Sequence, residues 1–194
     1  MKVVISGGSR GFGYELVKFF LYKGNECLVI ARQPPKGLVM NQLGKGGFHF
    51  HKADLSSNSQ VEELAQDLCA FKPDVLINNA AILGPVGLSW QQSFSKWQET
   101  FQVNTISPIR LCQAVVPTMI EKGFGRIINL SGGGATGCRP YYNAYASSKA
   151  ALNKFTETLA AELKGSGVTV NSHSPGMMAT GMLKDCLHHA QTLD

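Results

Sequence analysis

Tyr145 and Lys149 stand four residues apart in Tyr145-Ala146-Ser147-Ser148-Lys149. They lie in a stretch, Asn143 to Lys164, whose apolar residues recur at helical spacing. Residues four apart share one face of an α-helix. An ammonium beside a phenol stabilises the phenolate and lowers the phenol pKa toward neutral pH. Such a tyrosine can protonate a carbonyl oxygen as hydride reaches the carbon, or take the proton of an alcohol in reverse. The same spacing occurs on ordinary amphipathic helix faces, so its weight rests on what else the chain carries.

A glycine loop lies at the start of the chain, in Ser6-Gly7-Gly8-Ser9-Arg10-Gly11-Phe12-Gly13. It sits between an apolar run, Lys2 to Ser6, and a helical pattern, Phe12 to Tyr22. Gly7 can turn the chain out of a strand, Gly11 can let the backbone approach a pyrophosphate, and Gly13 can let a helix pack close. With Ser9, Arg10 and Phe12 they would form a phosphate cradle under the first amides of that helix. A second apolar run, Glu26 to Ala31, ends at Arg32. An acid there would accept from a ribose 2′-hydroxyl, whereas an arginine complements a 2′-phosphate. Arg10 is a second cation near the same place. The cofactor expected is NADP(H); the plainer alternative is two solvated surface arginines.

Gly7, Gly11 and Gly13 follow a G-x-x-x-G-x-G spacing, which resembles the loop of the short-chain dehydrogenase/reductase family, T-G-x-x-x-G-x-G, with Ser6 in place of the threonine. More of the family's marks follow in order. Asn78-Asn79-Ala80-Ala81 resembles N-N-A-G, and Asn104 in Val103-Asn104-Thr105 matches the asparagine of the family's proton relay. Pro175-Gly176-Met177-Met178-Ala179-Thr180 resembles P-G-x-V-x-T, which contacts the nicotinamide end. The resemblance covers essentially the whole chain. It implies cofactor contacts from Asp54, Leu55, Asn78, Ala80, Tyr145, Lys149, Pro175, Gly176, Met178 and Thr180; for Asp54 a helix-capping role is equally open. It implies Tyr145 as acid/base, Lys149 as the group that tunes it and holds the ribose, and Asn104 as a relay member.

Two departures stand out. The family's serine, which polarises the substrate carbonyl, commonly falls where this chain has Gly132. Ser131, one residue earlier, is the expected substitute, aided by the amides of Gly132-Gly133-Gly134. Family members also continue with another helix, a last strand and a tail beyond the point where this chain ends at Asp194.

The elements that must position these residues alternate. Apolar runs at Lys2 to Ser6, Glu26 to Ala31, Phe48 to Lys52, Asp74 to Asn78, Gly125 to Leu130 and Val168 to Asn171 read as strands. Between them lie helical patterns. One starts at a capping box, Ser59-x-x-Glu62. Another is a long helix from Phe94 to about Lys122, bent near Pro108. Continuous apolar strands between amphipathic helices predict an α/β fold: a Rossmann-type doubly wound parallel sheet with helices on both faces, lacking its last strand. Ligands on such sheets bind beyond the carboxyl ends of the strands. The glycine loop, Arg32, Asp54 and Ser131 follow strands, and Asn78 ends one.

The length, 194 residues, predicts one domain spanning 1–194. A net charge of +5 without any basic run argues against nucleic acid and suits an anionic cofactor. Five cysteines with no C-x-x-C predict reduced thiols and a cytoplasmic protein. No apolar run is long enough to span a membrane. His49 and His51 alternate on one strand face with no third ligand nearby, so no metal is expected. Trp90, Phe94, Trp97 and Phe101 are expected as core or interface anchors. The expected partner is a small carbonyl or alcohol, in a homodimer or homotetramer built through the two long helices. The contrasting expectation is a catalytically weak NADP(H)-binding sensor.

Overall fold

The computed structural model describes residues 1–37, 46–176, 178, 181–184 and 186. Six strands form one sheet: β1 (Lys2–Ser6), β2 (Glu26–Ala31), β3 (Phe48–Lys52), β4 (Val75–Asn78), β5 (Gly125–Leu130) and β6 (Val168–His173). Their order is β3-β2-β1-β4-β5-β6, and every pairing is parallel. From β1 the chain winds outward to β3, then returns to β4 on the other side and winds outward to β6. The strand order reverses between β1 and β4, which opens a crevice at their carboxyl ends. This is a Rossmann-type doubly wound sheet. Among the described residues no strand pairs with the outer edge of β6.

Alternation along β1 feeds two cores. Val4 joins Leu28, Ile30, Leu76 and Ile127 beneath α2 (Asn58–Phe71), α4 (Ser107–Glu121) and α5 (Asn143–Glu162). Val3 and Ile5 join Val29 and Ile77 beneath Val17 and Leu21 of α1 (Gly11–Tyr22). Val3, Val4 and Ile5 are wholly buried, and each such side chain contributes about 1.5–3 kcal/mol. That double burial explains why the strand lacks alternating polar residues.

Two local expectations change. The α2 cap is Ser57, not Ser59, and Glu62 does not reach back to cap; it forms a two-pronged ion pair with Arg110 at 2.7 and 2.8 Å. The long helix is broken. α3 (Phe94–Phe101) passes into a π-turn, Gln102–Ile106, before α4 begins. Pro108 has no N–H to give the Asn104 carbonyl four residues back. The register slides, and the Ser107 amide donates to Gln102 five residues back. Of the aromatics expected as core or interface anchors, Trp90 and Phe94 are exposed and Trp97 stacks on Phe101.

Candidate active site

At the carboxyl end of β1, Gly7 takes a left-handed φ of 69° and its amide donates to the Ile30 carbonyl at 2.8 Å. The Ser6 hydroxyl accepts from the amides of Asn79 and Ala80, both at 3.1 Å. The Asn79 side chain returns bonds to the carbonyls of Ser6 (2.9 Å) and Gly7 (3.1 Å). Asn79 thus staples the end of β4 to the glycine loop, a role the sequence reading did not assign. The repeated Asn78-Asn79 after a buried strand was the available signal. A Cβ on Gly7 would lie 2.8 Å from the Ala80 Cα, and one on Gly13 would overlap the Gly7 carbonyl and the Asn79 amide. Gly11 also has positive φ, 57°.

Arg10 precedes α1 with no side-chain cap bond, and the first turn carries no acid. The first N–H groups of α1 therefore keep their donors for an anion. Ser9 and Phe12 are half-buried beside them and Arg10 is exposed. This cradle fits the pyrophosphate of a dinucleotide.

The next loops lie along the same sheet edge. Arg32 is exposed directly after β2. The Asp54 carboxylate accepts from the Ser56 amide (2.9 Å) and hydroxyl (2.8 Å). These bonds, the amide's first, and the nearby Arg32 charge hold the Asp54 carboxyl below its ordinary range. Leu55 is buried and its carbonyl accepts from the Ser107 hydroxyl at 2.7 Å, fixing this loop to α4. Asn78 turns its side chain into the core, donating to Asn129 at 2.8 Å, so only its backbone can face the crevice. Ala80 is half-buried.

Tyr145 and Lys149 occupy the first turns of α5, and both are buried. The Lys149 ammonium donates to the Leu130 carbonyl at 2.6 Å, at the end of β5. Burial pushes its pKa down from 10.5 to about 8. The four-residue spacing predicts that Lys149 lowers the Tyr145 pKa, and the geometry differs. The Lys149 nitrogen is 6.0 Å from the Tyr145 ring centre and is drawn toward Leu130. Burial raises the Tyr145 pKa above the ordinary phenol value, and the cation that opposes this is Arg139.

Asn104 lies wholly buried in the π-turn. Its side chain bridges both backbone groups of Ile82 at 2.9 Å and donates to the Ser148 hydroxyl at 3.0 Å. Ser148 in turn donates to the Tyr145 carbonyl at 2.7 Å. Asn104 is therefore brought against the Tyr145 helix and bonds Ser148, not Lys149.

Ser131 continues the β5–β6 pairing, its amide donating to the His173 carbonyl at 2.9 Å. Gly132 is the residue placed against the Tyr145 hydroxyl: a Cβ there would overlap the phenol oxygen and lie 2.8 Å from the ring edge. Arg139 lies along the glycine run, its Nη1 3.9 Å from where a Cβ on Gly133 would stand. Its guanidinium stacks 4.6 Å over the Tyr142 ring, and Nη2 donates to the Cys186 sulfur at 3.9 Å. Tyr142 donates to the Cys186 carbonyl at 3.1 Å. Pro175, Gly176 and Met178 follow β6, Gly176 with φ 77°. Thr180 lies outside the described residues.

Two surface hollows, of about 550 and 380 Å³, lie beside β6 and beside the loop before α5. Neither is lined by the glycine loop. Among the described residues no group of three or more potential metal ligands occurs, and no helix is long and apolar enough to cross a membrane.

Comparison with known proteins agrees with this geometry. Residues 1–191 match the family model described as short chain dehydrogenase. A short chain dehydrogenase of Pseudocercospora fijiensis is 38% identical over 180 residues, which cover 89% of this chain and 58% of that protein. The 3-oxoacyl-[acyl-carrier-protein] reductase FabG of Chlamydia pneumoniae is 32% identical over 186 residues, 93% of this chain and 75% of that protein. Among solved structures, a protein from Beutenbergia cavernae described as an NAD(P) dependent gluconate 5-dehydrogenase, holding NADP at low occupancy, superposes with a TM-score of 0.89. It is 27% identical, over 98% of this chain and 77% of its own. The chain thus spans a little over half of the first relative's length.

Proposed function

The chain belongs to the short chain dehydrogenase family, and from that premise we propose that it is an oxidoreductase passing hydride between NADP(H) and a small carbonyl or alcohol. The observation that carries this reading is the meeting of two sites on one sheet edge. A phosphate cradle follows β1, and the hydroxyl of the largely buried Tyr145 stands against Gly132, just after β5.

The bound nicotinamide supplies or accepts the hydride. Gly7, Ser9, Gly11, Phe12 and Gly13 hold its pyrophosphate with the first amides of α1. Arg10 and Arg32 take the 2′-phosphate, and Asp54, Leu55, Asn78 and Ala80 border the adenosine half through their loops. Pro175, Gly176, Met178 and Thr180 border the nicotinamide half. Tyr145 gives its proton to the carbonyl oxygen in reduction and recovers one in oxidation. Lys149, anchored on Leu130, holds ribose hydroxyls and returns protons toward Tyr145. Asn104 fixes the Tyr145 turn through Ser148. Ser131, expected to polarise the carbonyl, has its hydroxyl one residue away from the position that faces Tyr145.

NADP rather than NAD is supported by the two exposed arginines and by the absence of an acid at position 32. A homodimer or homotetramer through α4 and α5 is supported by exposed Phe94 and Ile106 alongside them. A cytoplasmic setting is supported by Cys27, Cys69, Cys112 and Cys138, which form no disulfide.

Fluorescence titration with NADPH and NADH, followed by NADPH consumption with a 3-oxoacyl thioester and a panel of simple ketones, tests the reading. The expected result is preferential NADPH binding and turnover that Tyr145→Phe abolishes. Tight binding with no turnover on any carbonyl would replace it with the sensor reading.

A further inference from the structure

The side chain that a serine would supply at position 132 is missing, yet a cation lies along the same glycine run, beside Gly133 and Gly134. Arg139 is half-buried, lies along Gly133 and Gly134, and is held in place by stacking on Tyr142 and by the Cys186 sulfur. Among the described residues no carboxylate lies within ion-pair distance of it. A half-buried guanidinium without a counter-anion has unspent donors, and guanidinium is suited to an oxygen carrying developing negative charge. The Gly132-Gly133-Gly134 run has no side chains to stand between the guanidinium and the phenol.

We propose that Arg139 is a catalytic residue, donating a hydrogen bond to the same substrate oxygen that Tyr145 protonates and so doing the work of the absent serine hydroxyl. The inference rests on the reductase reading above. In reduction, hydride from NADPH bonds to the carbonyl carbon and leaves NADP⁺. The C=O π pair moves onto oxygen, which takes the Tyr145 proton. The phenolate left behind stays beside the Arg139 charge until a proton returns to it. One cation thus serves two anions in turn, the forming alkoxide and the phenolate. The geometry of Tyr142 follows from the same arrangement. Its ring is the platform that fixes the guanidinium plane, and its hydroxyl bond to the Cys186 carbonyl fixes the ring.

The test uses Arg139→Gln and Arg139→Lys in the whole chain, with two readouts. The first needs no substrate or cofactor. The ultraviolet titration of Tyr145 is isolated as the difference between the parent chain and Tyr145→Phe. Arg139→Gln should move it to higher pH, and Arg139→Lys should bring it part of the way back. The second is turnover of NADPH with the 3-oxoacyl thioester. Arg139→Gln should lower kcat roughly 100-fold, the scale seen when one oxyanion donor is removed, with the NADPH Kd unchanged. Thermal unfolding of each variant shows whether the fold persists.

A Tyr145 titration unmoved by Arg139→Gln overturns the proposal whatever the turnover. So does a kcat within twofold of the parent, or a large loss confined to Ser131→Ala. A moved titration in a chain that reduces no carbonyl sinks the reductase reading and, with it, the catalytic role of Arg139.

Discussion

Gly132 presents a bare backbone to the Tyr145 hydroxyl: the space its Cβ would fill is taken by the phenol oxygen and ring edge. The glycine is therefore a steric condition for the observed tyrosine position. Gly132→Ala should displace the Tyr145 ring and lower kcat at least tenfold, with the NADPH Kd changed less than threefold. Steady-state kinetics and fluorescence titration measure the two separately. A fully active Gly132→Ala chain would mean that Tyr145 does not work from where the structure puts it.

Arg32 is exposed at the end of β2 and acts on Asp54. Charge-assisted bonds are worth about 1.5–3 kcal/mol, or roughly 10- to 100-fold in affinity. Arg32→Asp should weaken NADPH by that factor and leave NADH unchanged or tighter. Equal losses for both cofactors would show that the side chain shapes the loop and reads no phosphate.

Lys149 provides a pH signature in the free protein. Its folded pKa, about 8, lies below the unfolded value near 10.5. The unfolded chain then binds the extra proton between these limits, so stability attributable to Lys149 rises with pH across that window. Below pH 8 both states are charged and burial carries its full cost, about 3 kcal/mol. Above pH 10.5 both are neutral and the cost is gone. Cys27 and Cys112, each pushed up to about 12 by burial, act in the opposite sense above pH 9. The quantity to measure is therefore the difference in urea unfolding between parent and Lys149→Met. That difference should shrink from pH 8 to 10.5; a flat one would mean that the ammonium is better solvated than its burial indicates.

Asn129 is the middle of a buried chain, accepting from Asn78 and donating to Thr156, both at 2.8 Å. The Asn78 side-chain oxygen already has no partner. Removing its neighbour leaves the amide nitrogen only two long contacts, to the Pro108 carbonyl and the Cys112 sulfur, both at 3.5 Å. Asn129→Ala should cost about 2–4 kcal/mol in urea unfolding. A loss under about 0.5 kcal/mol would show that water enters the site freely.

Much of this was readable from residue order. The glycine loop follows β1 as expected, because a strand buried on both faces must be continuously apolar and the turn after it must be permissive. β1, β2, β3 and β5 begin and end at the residues the apolar runs marked. The bend expected near Pro108 is a π-turn over Gln102–Ile106, a form that periodicity does not give, since it shows which residues are apolar and not which carbonyl loses its donor. Lys149 could be put on the Tyr145 face from spacing. That its nitrogen leans to Leu130 depends on where β5 ends beside α5, a tertiary fact. Arg139 carried no motif at all. Its place along Gly133 and Gly134 is a matter of tertiary packing that no spacing in the sequence shows.

The outer edge of β6 has a further consequence. Val168 and Val170 face the core, but Thr169 and Asn171 to His173 are exposed, and one side of the strand's backbone has no partner among the described residues. Unpaired amides and carbonyls in a row accept any strand of suitable direction. If a second molecule supplies that strand without closing a ring, growth is open-ended and ends in fibres. Where this margin stays uncovered, association at high concentration runs through it, independently of the chemistry at the carboxyl ends of the strands.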